Sequence, residues 1–149
     1  MFPASTIRYW LAAALSWLLL SGCQPGKEIS SEIARYFSKG GEIDLAQIVP
    51  GNWDRVCILG PYSDNASASK MLGFAWDAES RSSIKSDDGI SLLVFVQNNK
   101  VLAYTEHQRR YGDFSDLSER CFLRGQAKFI QDVPKDGRPG LHPVDHPAK

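Results

Sequence analysis

Two apolar segments separated by a short polar link constrain the fold of this chain more than any other feature. Residues 90–96 read Ile-Ser-Leu-Leu-Val-Phe-Val, and residues 101–107 read Val-Leu-Ala-Tyr-Thr-Glu-His. Both are rich in β-branched and aromatic residues, which favours strands. Asn98 and Asn99 tolerate the positive φ that a two-residue hairpin turn requires. The sequence therefore predicts an antiparallel hairpin over 90–107.

A third strand and two helices are predicted around this hairpin. An unbroken apolar run bounded by glycines predicts a buried strand near 53–59. Apolar residues at three- and four-residue spacing predict a helix near 30–39, and a polar cap followed by a C-terminal glycine predicts another near 64–73. A last strand is expected near 126–131. We therefore predict the α+β class, with a small antiparallel sheet of three to four strands packed against two helices.

The N-terminal segment is predicted to be a targeting sequence rather than part of this fold. Arg8 precedes an apolar run from Tyr9 to Leu20, which is too short to span a bilayer stably as a helix. The run also lacks the polar face that a helix packed on a soluble core would show. A buried helix or a retained membrane anchor are the alternatives.

Leu20-Ser21-Gly22-Cys23 ends this run and resembles the lipobox of bacterial lipoproteins. In that motif the chain is cut before the cysteine, and an acyl lipid such as palmitate is attached through its thiol. The resemblance implies a signal peptide over 1–22 and lipidation of Cys23. Small residues before the cysteine favour cleavage, because a peptidase cleft must accept the backbone closely. Gln24 rather than Asp after the cysteine implies sorting to the outer membrane, with the protein facing the periplasm.

The remaining chain is long enough for one small domain. Residues 23–29 are polar and predict a short tether, and 30–131 form the predicted single α+β domain. Residues 132–149 carry four prolines and predict a disordered tail. The whole chain has 17 basic and 17 acidic residues, which gives no indication of nucleic-acid binding.

Three cysteines are present. If Cys23 carries lipid, Cys57 and Cys121 remain as one candidate pair, and the oxidising bacterial envelope favours a disulfide between them. Two separate buried thiols are the alternative.

No catalytic residue, metal site or cofactor is predicted. A Cys–His nucleophile is disfavoured because Cys57 lies within an apolar strand, where burial opposes thiolate formation, and His107 is the sole histidine of the predicted domain. His142 and His146 have the spacing of metal ligands on a helix, but Pro143 between them disfavours that helix.

One candidate contact loop follows the hairpin and combines charged with aromatic side chains: Arg109, Arg110, Tyr111, Asp113 and Phe114. The arginine forks are suited to a carboxylate or phosphate on a partner. Internal pairing of these arginines with neighbouring acidic residues is the alternative.

The segment from Trp53-Asp54 to Pro61-Tyr62, followed by Leu72-Gly73 and the strand ending in Leu-Val-Phe-Val, resembles a group of small bacterial proteins, many with lipoprotein signals. The resemblance covers roughly residues 42–130. It implies a compact α+β domain and carries no activity with it.

Together these features predict a non-enzymatic binding or interaction protein of the bacterial envelope. Its partners would be the membrane, through the N-terminal lipid on Cys23, and an envelope protein. The alternative is a periplasmic inhibitor or immunity-type lipoprotein that neutralises an enzyme through the contact loop. An enzyme is disfavoured, because catalysis requires polar groups held together in a cleft and the predicted strands are apolar.

Overall fold

The structure, a computed structural model, describes residues 25–132 and 139–144. The predicted signal peptide and Cys23 lie outside these residues. The helices are α1 (Pro25–Ser38), α2 (Leu45–Ile48), α3 (Asn65–Leu72) and α4 (Ala78–Arg81). The strands are β1 (Ile43–Asp44), β2 (Arg55–Leu59), β3 (Ile90–Gln97), β4 (Lys100–Gln108), β5 (Arg120–Leu123), β6 (Lys128–Gln131) and β7 (Leu141–Pro143).

A four-stranded antiparallel sheet with the order β4-β3-β2-β5 forms the centre of the fold. The predicted hairpin is confirmed as β3 and β4. Asn98 and Asn99 have φ values of 49° and 57°, which is the left-handed conformation that this turn requires. The predicted α+β class is therefore confirmed.

Both faces of this sheet are covered, and this explains why β2 and β3 are apolar without alternation. One face, including Ile58 and Phe95, packs with α1 and Trp53 in the first core. The other face, including Cys57 and Val94, packs with α3 and α4 in the second core. The sequence predicts a single sheet over two helices, whereas the molecule has a core on each side of that sheet.

A second antiparallel sheet has the order β1-β6-β7. Phe129 of β6 lies opposite Ile43 on one side and Pro143 on the other. Leu141 is buried in the first core. The prediction of a disordered tail over 132–149 is therefore wrong for residues 139–144. Pro143 is accommodated because β7 is the edge strand of this sheet.

Helix α1 begins at Pro25, five residues before the predicted start. Proline is favoured at the first helical position, because its missing N–H has no helical partner there. The predicted tether over 23–29 is therefore helical from residue 25. The polar segment near 77–88 contains α4, whose N-cap Asp77 accepts a hydrogen bond from Ser80 N–H.

Candidate functional site

The predicted contact loop is largely engaged in internal contacts. Arg109 donates from Nε and Nη2 to the two carboxylate oxygens of Asp113, and each hydrogen bond is 2.9 Å long. Its Nη1 donates to the carbonyl of Asp88. Burial alone would raise the pKa of Asp113, but hydrogen bonds from Arg109 and Ser115 outweigh it and hold the pKa below its ordinary value. The fork of Arg109 is thus occupied, as the internal-pairing alternative expects.

Phe114 is also unavailable for a partner, because it is fully buried. Its ring meets that of Phe129 edge-to-face, with 5.3 Å between centroids. Arg110 and Tyr111 remain exposed, and the Arg110 guanidinium lies 4.7 Å from the centre of the Tyr111 ring. Two of the five predicted contact residues therefore reach the surface as a pair.

His107 is buried where α1, β4 and the following 3₁₀ turn meet. Its Nε2 lies 3.1 Å from the carbonyl oxygen of Tyr111, and Nδ1 lies 2.9 Å from Ser30 Oγ. Because a carbonyl only accepts, Nε2 carries the proton and Nδ1 accepts from the Ser30 hydroxyl. Burial lowers the pKa of His107 to about 4. A neutral imidazole hydrogen-bonded at both nitrogens joins these elements, and its low pKa makes it a weak general base for Ser30.

Ser91 lies opposite His107 in the β3–β4 ladder and is fully buried. Within the described part of the chain, its Oγ is the one buried side-chain oxygen or nitrogen without a hydrogen-bond partner. We expect Ser91→Ala to raise the free energy of unfolding by about 1 kcal/mol, because it removes this unsatisfied hydroxyl. Urea unfolding measures the change, with Ser30→Ala as the control, which loses the bond to His107 and is expected to be less stable. A less stable Ser91→Ala variant would contradict this expectation.

An open groove of about 1190 Å³ follows the outer edge of β4. The start of α1 forms one wall, and the segment 74–76 lies on the other side. Gly26 permits the close approach of α1, because a Cβ there would lie 2.7 Å from the Tyr104 carbonyl oxygen. The Thr105 hydroxyl donates to the Gly26 carbonyl, and the Trp76 ring meets the Tyr104 ring edge-to-face at 5.5 Å.

The groove is lined by basic and aromatic side chains. Its cations are Lys27, Arg81, Lys100 and Arg110. None of the ion pairs recorded among the described residues involves these four side chains. The two carboxylates of the groove are engaged, since Glu106 accepts from Ser83 and Asp87 from Gly89 N–H. The exposed apolar surface includes Leu102 at 46% and Tyr111 at 45% exposure.

No protein-family model, curated protein or solved structure matches this chain. Its function is therefore inferred from its own residues and their geometry.

The predicted Cys57–Cys121 disulfide is confirmed. The two cysteines lie directly opposite each other in the β2–β5 ladder. Among residues 25–132 and 139–144, no cluster of three or more side chains is suited to hold a metal ion. In the same ranges, the helices are too short or too polar to cross a bilayer.

The groove is not predicted from the sequence, because residues 25–29, which begin α1 and form part of its wall, have the composition of a tether. Pro25 followed by Gly26, Lys27 and Glu28 is a helix start with proline at the first position and an acidic residue in the first turn. That signal would have identified the earlier helix start. It would not have placed the helix beside β4, since the contact joins residues 79 positions apart.

Proposed function

We propose that this protein is a lipid-anchored binding protein of the bacterial envelope, attached to the membrane through Cys23. The observation that carries the proposal is the position of Leu20-Ser21-Gly22-Cys23, after an apolar run and two residues before the first helix of the domain. A lipid at that position joins the domain to a bilayer without a separate spanning helix. Gln24 supports the outer membrane as the destination.

The disulfide is consistent with this location. Cys57 and Cys121 are joined in the domain, and disulfides persist in the oxidising periplasm rather than in the cytosol. The third cysteine, Cys23, is then left over for the lipid.

A binding role is favoured over catalysis by the chemistry of the polar groups. His107 is neutral, buried and bonded to Ser30 and Tyr111, which supports a structural role. The groove along β4 presents cations and aromatic rings on an otherwise well-packed scaffold. An inhibitor acting through the contact loop has less support, because Arg109, Asp113 and Phe114 are engaged within the domain.

We expect the mature protein to begin at an acylated Cys23 and to fractionate with membranes. Expression of the full chain in a Gram-negative host, followed by mass spectrometry of the N-terminal peptide, tests this directly. Cys23→Ala is expected to abolish acylation and leave the precursor uncut, whereas Ser21→Ala keeps a small residue at the cleavage site and is expected to be processed normally. A wild-type chain that still begins at Met1, or an unmodified Cys23, would refute the proposal.

A further inference from the structure

The folded domain begins very close to the proposed lipid. Cys23 and Pro25, the first residue of α1, are two positions apart, so their Cα atoms are at most about 7 Å from each other. The headgroup layer on each side of a bilayer is roughly 5–8 Å thick. An acylated Cys23 therefore keeps the first turn of α1 at the level of the headgroups.

This first turn is held against β4 and does not act as a tether. The Thr105 hydroxyl donates to the Gly26 carbonyl, and Ser30 one turn later bonds to buried His107. The Gly26 backbone lies against the Tyr104 carbonyl. Whatever holds the start of α1 at the headgroups also brings the groove along β4 to them.

The side chains of the groove match that environment. Lys27, Lys100 and Arg110 are exposed cations on its lining, and basic residues near an anionic lipid surface favour binding. Trp76 and Tyr111 provide aromatic rings, which are enriched at the level of lipid headgroups.

We propose that the groove along β4 is the membrane-facing side of the domain and binds the anionic headgroups of the bilayer that holds the lipid anchor. This inference rests on the proposed acylation of Cys23. It assigns an orientation, with the groove against the membrane and β5, at the opposite edge of the sheet, away from it.

Lysine acetylation of the acylated mature protein tests the orientation. The protein is labelled in vesicles of phosphatidylcholine and phosphatidylglycerol and, as a reference, in a neutral detergent. Mass spectrometry then gives the labelling rate at each lysine. We expect Lys27 and Lys100 to react several-fold more slowly in the vesicles, while Lys39, the residue after the C-terminal end of α1, and Lys128 on the second sheet keep their rates.

Two charge-reversed variants provide the matched comparison. Lys27→Glu with Arg110→Glu is expected to remove the protection of Lys100. Lys39→Glu with Arg120→Glu makes the same change of charge away from the groove and is expected to leave the protection intact. The two double variants are matched. Each replaces one lysine near an end of α1 and one arginine that lies over an aromatic ring, which is Tyr111 for Arg110 and Phe122 for Arg120.

Vesicle flotation separates the possible failures. Protein that floats with the vesicles but labels Lys27 and Lys100 at unchanged relative rates overturns the orientation and leaves the lipid anchor in place. If the mature protein carries no acyl groups and does not float with the vesicles, the proposed function itself is refuted. Protection that appears in detergent and grows with protein concentration would assign the groove to a second copy of the chain and also overturn the inference.

Discussion

Cys121→Ala is expected to lower the free energy of unfolding by about 4 kcal/mol, because the disulfide closes a loop of 64 residues in the unfolded chain. Cys57 is fully buried in the second core, whereas Cys121 is exposed on β5. Replacing the exposed cysteine therefore removes the cross-link and leaves the packing of Cys57 in place. Urea unfolding under oxidising conditions measures the difference. For a domain of this size the loss is a large fraction of the total stability.

Reduction provides the internal control for this prediction. Wild-type protein in dithiothreitol is expected to unfold at the midpoint of Cys121→Ala, and the variant is expected to be insensitive to the reductant. Cys57→Ala combined with Cys121→Ala adds a loss of about 1 kcal/mol, because it also removes a buried sulfur. Equal midpoints for the variant and the oxidised wild type would show that the disulfide does not stabilise the fold.

The stability of the domain is expected to fall by about 2 kcal/mol between pH 7 and pH 5, because of His107. Burial lowers the pKa of this imidazole from 6.5 to about 4. In the unfolded chain the pKa returns to its ordinary value, so the unfolded state binds more protons between pH 6.5 and pH 4. Stability therefore rises with pH through this window and is lost as the pH falls. Urea unfolding at a series of pH values measures the slope.

The carboxyl groups with lowered pKa values do not explain a loss of stability between pH 7 and pH 5. The pKa values of Asp113 and Glu32 are lowered by their arginine partners, so the stabilisation that they provide is lost only below their ordinary values of 3.8 and 4.5. Between pH 5 and pH 7 both are largely ionised in the folded and unfolded chains, so they contribute little to the slope. The slope in this range is therefore expected to come mainly from His107.

His107→Gln and His142→Gln form a matched pair for this test. A glutamine amide retains an acceptor for Ser30 and a donor for the Tyr111 carbonyl but does not titrate, so we expect its stability to change little from pH 7 to pH 5. His142→Gln makes the same chemical change at an exposed position on β7 and is the control for the substitution itself. A steep slope that persists in His107→Gln would assign the pH dependence to another group.

The sequence predicts correctly those helices and strands that are specified by residues close together in the chain. The β3–β4 hairpin depends on two apolar runs and on the asparagines between them, all within a few residues. Helix α3 follows the same rule, because Asp64 caps its start in a capping box with Ser67 and Gly73 ends it with a φ of 81°. Lipidation at Cys23 stays a prediction, since it lies outside the described residues.

The second sheet was not predicted, because its determinants are far apart. Strand β1 has two residues and β7 has three, which is too short for a periodic apolar pattern. They become strands because both pair with β6, which brings Ile43, Phe129 and Leu141 into one core. The prolines of the tail predicted disorder, and tertiary pairing overrode that local preference.

The candidate site also combines features that the sequence predicts with contacts that only the tertiary structure shows. Sequence identified Arg109 to Phe114 as a charged and aromatic loop, but spacing along the chain does not reveal that Asp113 occupies the fork of Arg109 or that Phe114 enters the core. Ser30 and His107 are 77 positions apart, and Gly26 and Thr105 are 79 apart. Local patterns thus specified the β3–β4 hairpin and helix α3. Tertiary packing decides which polar groups are hydrogen-bonded within the domain and which surface is exposed. The physical reason is that these hydrogen bonds form only when segments distant in sequence come together.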